Sequence, residues 1–461
     1  MAHQVRHTAL LAAMLAASSL AAAAAATTTT ESGPNTTARQ AQISAIVGEI
    51  SPKRIEAYVN KLVSFGTRHT LSDTESDTRG IGAARRWIKG ELERCGAGKL
   101  NVAFDSHLHP VDRRIARPVE IVNVVATLPG TQEQSRERMY VVSGHYDSRN
   151  SEDADAVGDS PGANDDASGT AAVMEMACVM AKYRFDATLV FMTVAAEEQG
   201  LYGAADFAEK AKQKNLNIAG MFTNDIIGSS MSDDGKRDNT QVRLFAEGIP
   251  AVKEVPDNLR TLVQTGGEND STPRQLARLV KEVGERYVPN FKVTIVNRRD
   301  RYLRGGDHAA FLDRGFAALR FTEPAEDFNH QHQNVRKEGA LQIGDLPQFV
   351  DPAYIAQVTR VNAASLASLA LAPASPQAVK IITAQLTNRT DLTWAANSEP
   401  DLAGYRVVWR DTTAAQWQHS KFVGKVTTIS MPISKDNVFF GVQAIDKDGN
   451  VSPATYPLPG R

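Results

Sequence analysis

The sequence predicts an α/β protein: a mixed, largely parallel sheet sandwiched by helices, followed by a small C-terminal all-β sandwich. Three observations carry this. Wholly apolar runs such as Met139–Gly144 and Ala187–Ala195 have no polar face, as expected of strands buried on both sides of a parallel sheet. Such runs alternate with helical spacing from residue 40 to 372, the pattern of one α/β domain. Beyond the Pro-rich stretch Ala372-Pro-Ala-Ser-Pro-Gln377 the runs become short and alternating with turn signals between them, the pattern of an antiparallel sandwich over 373–461.

Taken in order, residues 1–26 read as a secretory signal peptide. Arg6 gives a positive start, Thr8 to Leu20 an apolar stretch, and Ala21 to Ala26 a small-residue cleavage zone. The mature protein is therefore expected to be exported, periplasmic or extracellular. No other run is long enough to span a membrane. Residues 27–39, rich in Thr, Ser, Asn, Gly and Pro, read as a disordered linker. Helical spacing begins at Ile43, Ile46 and Val47, and Ser51-Pro52 restarts it with a cap and a first-position proline. Arg79 to Cys95 is a further helix, stopped by Gly96.

Strands follow at Ile121–Leu128 and Met139–Gly144, then a polar loop from Ser148 to Gly162 and a helix from Ala167 to Tyr183. Ala187–Ala195, Ile218–Asn224, Phe291–Val296 and Ala317–Thr322 are further strands, with helices over Pro273–Tyr287 and Tyr354–Leu371. In the C-terminal part, strands are expected at 378–386, 390–394, 404–409, 418–422, 427–431 and 438–445.

A length of 461 residues points to two or three domains. Lys+Arg 51 against Asp+Glu 53 leaves a net charge of -2 and no basic stripe, so nucleic acid is not an expected partner. Cys95 and Cys178 are too few for a disulfide framework, and leave open one bridge or two buried thiols.

Chemistry concentrates where strands end, the edge at which open α/β sheets gather ligands. His145 follows one strand, and Asp147, two residues on, faces the same way and can hold the second imidazole nitrogen. Asp165 and Asp166 sit in a Gly-bounded turn before a helix. A cap needs one carboxylate, which leaves Asp165 free to bridge two cations. Glu197 and Glu198 end an apolar strand, where a cation separates their roles: one ligates, the other takes a proton from water. Asp225 ends the next strand, and His330 and His332 follow the last. Imidazoles with carboxylates and no Cys suit zinc or a similar metal.

His145-Tyr-Asp147, Gly162-Ala-Asn-Asp-Asp-Ala-Ser-Gly169, Ala196-Glu-Glu-Gln-Gly-Leu-Tyr-Gly203 and Asn224-Asp225 resemble the motifs of the dinuclear zinc aminopeptidase family, over about residues 40 to 372. That family includes secreted bacterial leucine aminopeptidases, plasma glutamate carboxypeptidases and glutaminyl cyclases. The resemblance implies two zinc ions bridged by Asp165, with His145 and Asp225 on one and Glu198 and His330 on the other. It also implies Glu197 as general base and a cis peptide between Asp165 and Asp166.

Two segments depart from the family pattern. The usual His-Thr-x-x-Asp around the last ligand is absent: His330 is followed four residues on by Asn334, and His332 competes for the role. Ser-Asp-His-x-x-Phe appears as Gly306-Asp307-His308-Ala-Ala-Phe311, putting Asp307 and His308 near the substrate.

The activity implied is hydrolysis of N-terminal peptide bonds in peptides or proteins with a free N-terminus. Carboxypeptidase or dipeptidase chemistry is the alternative, and a metal-free receptor-like binding protein a remoter one. Leu392-Thr-Trp394, Gly404–Arg410 and Val442–Ser452 resemble fibronectin type III modules. This implies an adhesion or spacer module that binds a polymer or another protein, or limits access to the site.

Overall fold

The buried runs assemble into one eight-stranded sheet: β1 (Asn101–His109), β2 (Val119–Leu128), β3 (Arg138–His145), β4 (Thr188–Val194), β5 (Asn217–Asn224), β6 (Gln241–Ala246), β7 (Lys292–Val296) and β8 (Ala318–Thr322). Its spatial order is β1-β2-β4-β3-β5-β8-β6-β7. The central strands β4, β3, β5 and β8 run parallel, whereas β1/β2, β2/β4 and β6/β8 pair antiparallel. Every residue of β4 is buried, as its lack of a polar face requires. This computed structural model describes residues 33–250 and 256–461; the expected signal peptide lies outside the described residues.

The helices are α1 (Ala41–Glu49), α2 (Pro52–Val63), α3 (Gly80–Gly96), α4 (Ala167–Met180), α5 (Glu197–Gly200), α6 (Tyr202–Gln213), α7 (Asp257–Gln264), α8 (Thr272–Tyr287), α9 (Asp307–Leu312) and α10 (Pro352–Leu371). One large core unites the sheet with α1, α2, α3, α4, α8 and α10; a second unites its other face with α6 and α9. Ser51 caps α2 by accepting from the Arg54 amide, with Pro52 at the first position. The wholly buried α4 contains Glu175, whose charge is met by a forked contact from Arg54 at 2.6 and 2.8 Å. Cys95 and Cys178 form a disulfide that ties α3 to α4.

After β8 come a hairpin, β9 (Arg336–Glu338) and β10 (Leu341–Ile343), and then α10. The C-terminal strands are β11 (Lys380–Ile382), β12 (Thr390–Thr393), β13 (Leu402–Asp411), β14 (His419–Gly424), β15 (Thr428–Met431), β16 (Val438–Asp446) and β17 (Leu458–Gly460). They form two small sheets, β15-β12-β11-β17 and β14-β13-β16, sharing a core of Leu392, Trp394, Tyr405, Val407 and Val442.

These sheets are docked, not tethered. Asp270, ahead of α8, is fully buried between Arg278 at 3.0 Å and Arg410 of β13 at 2.7 Å. Arg138, at the amino end of β3, pairs with Glu399 at 3.3 Å. The described part of the expected linker is also held: Arg286 donates to the Thr36 carbonyl and Arg406 to the Thr36 hydroxyl.

Candidate metal centre

Four parallel strands deliver the site. β3 ends on His145, β4 runs through Ala195-Ala196 to Glu197 and Glu198, β5 leads to Asp225, and the chain after β8 carries His330 and His332. Asp165 and Asp166 lie just ahead of α4. Asp166 caps that helix through the Gly169 amide and also accepts the His145 amide, both at 3.0 Å. Two glycines permit this approach. A Cβ on Gly144 would sit 2.4 Å from the backbone of Gly169, and one on Gly169 would sit 2.0 Å from the Asn224 carbonyl. The Asp165–Asp166 and Asp225–Ile226 peptides are cis.

The donor atoms fall into two groups that share Asp165. His145, Asp165 and Asp225 form one; Asp165, Glu198 and His332 form the other, each with ligand atoms within 4.8 Å of one another. His145 Nε2 is 3.1 Å from Asp165 Oδ1, and His332 Nε2 is 2.8 Å from Asp165 Oδ2. Asp165 thus presents one oxygen to each group.

His330, the expected last ligand, is not part of either group. Its ring stacks on Phe349 with centroids 3.6 Å apart, and its Nδ1 faces Asp327 at 3.3 Å. His332 lies beside Asp165 instead, on a left-handed backbone with φ 55°. A non-glycine residue in that region carries strain that a functional position commonly retains.

Asp147 is fully buried and accepts the amides of both Glu197 and Glu198, at 3.3 and 3.1 Å, while its backbone carbonyl lies 3.2 Å from His145 Nδ1. It therefore orients three functional residues together. Glu197 is raised well above the usual carboxyl range by burial, opposed by His145 and reinforced by Asp225, Glu198 and Asp307. Asp307 receives the Ser143 hydroxyl at 3.0 Å and is pushed up to about 7, by burial first and then by Asp225.

His308 turns away from the centre, to the Arg299 carbonyl at 2.9 Å and Asp300 at 3.4 Å. It acts behind the site: Asp300 holds the buried Arg320 at 3.0 Å, and Arg320 holds Asp225 at 2.9 Å.

Sequence reasoning missed several supports. Arg320 was signalled by a lone arginine inside an apolar strand. Asp345 accepts the amides of Asn164 and Asp165 at 2.8 and 2.7 Å, and Gln331 donates to Asp165 Oδ2 at 2.9 Å. Arg149 contacts both Glu198 and His332, at 3.0 and 2.6 Å. None of these last three has a local sequence signature. Beside Asp165 lies a small pocket, about 10 Å³ of free space, lined by Glu323, Asp327, Asp345, Ser229 and His330 among others, with no Arg or Lys in its wall.

The donor set fits a cation. Glu198 Oε1 and His332 Nε2 are buried and 3.0 Å apart, yet neither has a properly directed hydrogen-bond partner. Carboxylates and imidazoles without thiolate are a combination zinc accepts.

Comparison with known proteins identifies the family. The model of peptidase family M28 matches residues 123–338, which contain every candidate ligand. A probable zinc metalloprotease of Leptosphaeria maculans is 49% identical over 426 residues, covering 92% of this chain and 98% of that one. The chain belongs to peptidase family M28. A second such relative, a probable zinc metalloprotease of Pyricularia oryzae, is 48% identical over 429 residues, covering 91% of this chain and 85% of its own length.

Solved structures share the M28 fold. The LapA aminopeptidase of Legionella pneumophila has a TM-score of 0.50 at 18% identity, over 74% of this chain and 77% of that one. LapB of the same organism has a TM-score of 0.51 at 18% identity, over 74% and 78%. The match is to the α/β domain architecture, a large mixed sheet between helices.

Proposed function

We propose that this protein is an exported zinc-dependent aminopeptidase that hydrolyses N-terminal peptide bonds with two zinc ions and Glu197 as general base. The observation that carries this reading is the pair of donor groups sharing Asp165. His145 and Asp225 would hold one ion, Glu198 and His332 the other, with a single carboxylate between them. Zinc bound there would supply Lewis acidity, lowering the pKa of the attacking water and polarising the scissile carbonyl.

The chain's own residues do the rest. Glu197, unshared by either group, takes the proton of the attacking water and passes it to the leaving amine. Asp147 fixes its backbone through the amide contact, so that its carboxyl stays aimed at the centre. Asp345 and Gln331 hold Asp165 from behind and beside it.

The pocket beside Asp165 supports an N-terminal over a C-terminal exopeptidase. Its wall carries Glu323, Asp327 and Asp345. Glu323 and Asp345 are desolvated, with only uncharged hydrogen-bond donors, Asn164 and Ser229 on one and two backbone amides on the other. Burial raises both carboxyls, Glu323 well above the ordinary range and Asp345 to about 7, so the preference rests on what the wall lacks: no Arg or Lys stands there to hold the carboxylate of a C-terminus.

The Cys95–Cys178 bridge supports export, since disulfides persist in oxidising compartments. The C-terminal sheets fit the fibronectin type III-like reading. Their docking at α8 and the amino end of β3, the edge away from His145, suits a brace better than a cover for the site.

A panel of aminoacyl chromogenic substrates, each tested beside its N-acetylated form, decides the reading. Cleavage of free forms only, lost on chelation and restored by zinc, is expected. Equal cleavage of blocked forms overturns the aminopeptidase assignment.

A further inference from the structure

Arg149 stands directly behind the second donor group. Its Nε donates to Glu198 Oε2 at 3.0 Å and its Nη2 lies 2.6 Å from His332 Nδ1, while Nη1 reaches outward to Asp153 Oδ1 at 2.5 Å. The first donor group has a different backing: His145 Nδ1 faces Asp147, and Asp225 is held by Arg320, itself neutralised by Asp300. Arg149's outer partner Asp153 is half exposed, so its compensation is screened by solvent.

The hydrogen-bond directions matter here. A guanidinium only donates, so its contact with His332 requires a lone pair on Nδ1. A neutral imidazole that ligates a cation through Nε2 carries its hydrogen on Nδ1. These two arrangements exclude each other, since two donors cannot face one another at 2.6 Å. Arg149 must release His332 for the second cation to bind, and wherever it comes to rest it leaves a positive charge near that cation.

We propose that Arg149 is a positioning residue that weakens the second metal site, so that the Glu198–His332 ion is held less tightly than the His145–Asp225 ion and binding it requires Arg149 to swing towards Asp153. This rests on the two-metal reading above. The asymmetry has a physical source on each side: an arginine compensated by a buried carboxylate behind the first site, and one whose partner outside the donor group is a half-exposed carboxylate behind the second.

The test is a competitive zinc titration of the full chain against a chromogenic chelator, with ions per chain counted by elemental mass spectrometry. Wild type should show two steps, the second weaker. Arg149→Ala should tighten the second step roughly ten- to a hundredfold and leave the first unchanged. Asp153→Asn, a change at a half-exposed side chain, should weaken the second step, because the guanidinium loses its outward partner.

Wild type that takes up a single ion at saturating zinc overturns the two-metal reading itself. Where two ions bind, an Arg149→Ala second step that is unchanged or weaker overturns the role given to Arg149. If Arg149→Ala fails to fold, a second step left unchanged by Asp153→Asn overturns it instead.

Discussion

At the scale of single residues, the proposed division of labour makes separable predictions. Glu197→Gln should keep its zinc and lose roughly 10²–10⁴ of kcat, because it removes proton transfer but no ligand. His332→Ala should lose the second ion, whereas His330→Ala should keep both, which ion counting measures directly. Asp300 gives a pH prediction. Burial is the largest single influence and works against its charge, but Arg320, His308 and Arg301 together outweigh it and hold the carboxyl down at about 2.

Its folded value lies below the ordinary one, so its contribution, on the order of 2 kcal/mol, is present above about pH 4 and lost as pH falls towards 2. Asp300→Asn should flatten that acid limb in denaturant melts. The residues that sequence reasoning found, His145, Asp165, Glu198 and Asp225, sit at strand ends or in a Gly-bounded turn, where chemistry and local pattern coincide. Between His330 and His332, which the sequence left in competition, the structure sets His332 beside Asp165, on a left-handed backbone that no spacing signals. Arg149 and Asp345 act across the fold, and no spacing announces them.

At the scale of elements, the centre depends on how closely α4 approaches β3 and β5. Gly144 and Gly169 leave no room for a methyl group there. Gly169→Ala should cost about 1–3 kcal/mol and displace Asp165 and Asp166, seen as a lower melting temperature together with lost zinc. The buried parallel strands were legible because a strand covered on both faces is apolar throughout. β1 was not, because this edge strand is largely exposed and shows no apolar alternation. β6 was missed because Arg243 interrupts its apolar run, its charge being met by Glu326 at 3.0 Å.

At the scale of the whole molecule, the C-terminal sheets and the α/β domain share buried charges. Arg410→Ala would strip one partner from the fully buried Asp270 and should destabilise the chain by about 3–5 kcal/mol, measured by denaturant melts. The change in texture after residue 372 announced a second module, but its docking was illegible, since Arg410 and Asp270 are 140 residues apart. The site likewise exists only when four strand ends meet, and the shared carboxylate of Asp165 is the hinge of the account. Anomalous scattering at the zinc edge, from crystals of the zinc-loaded protein, tests it most directly. Two peaks are predicted, flanking Asp165, one touching His145 and Asp225 and the other Glu198 and His332; a single peak, or a second peak at His330, would contradict it.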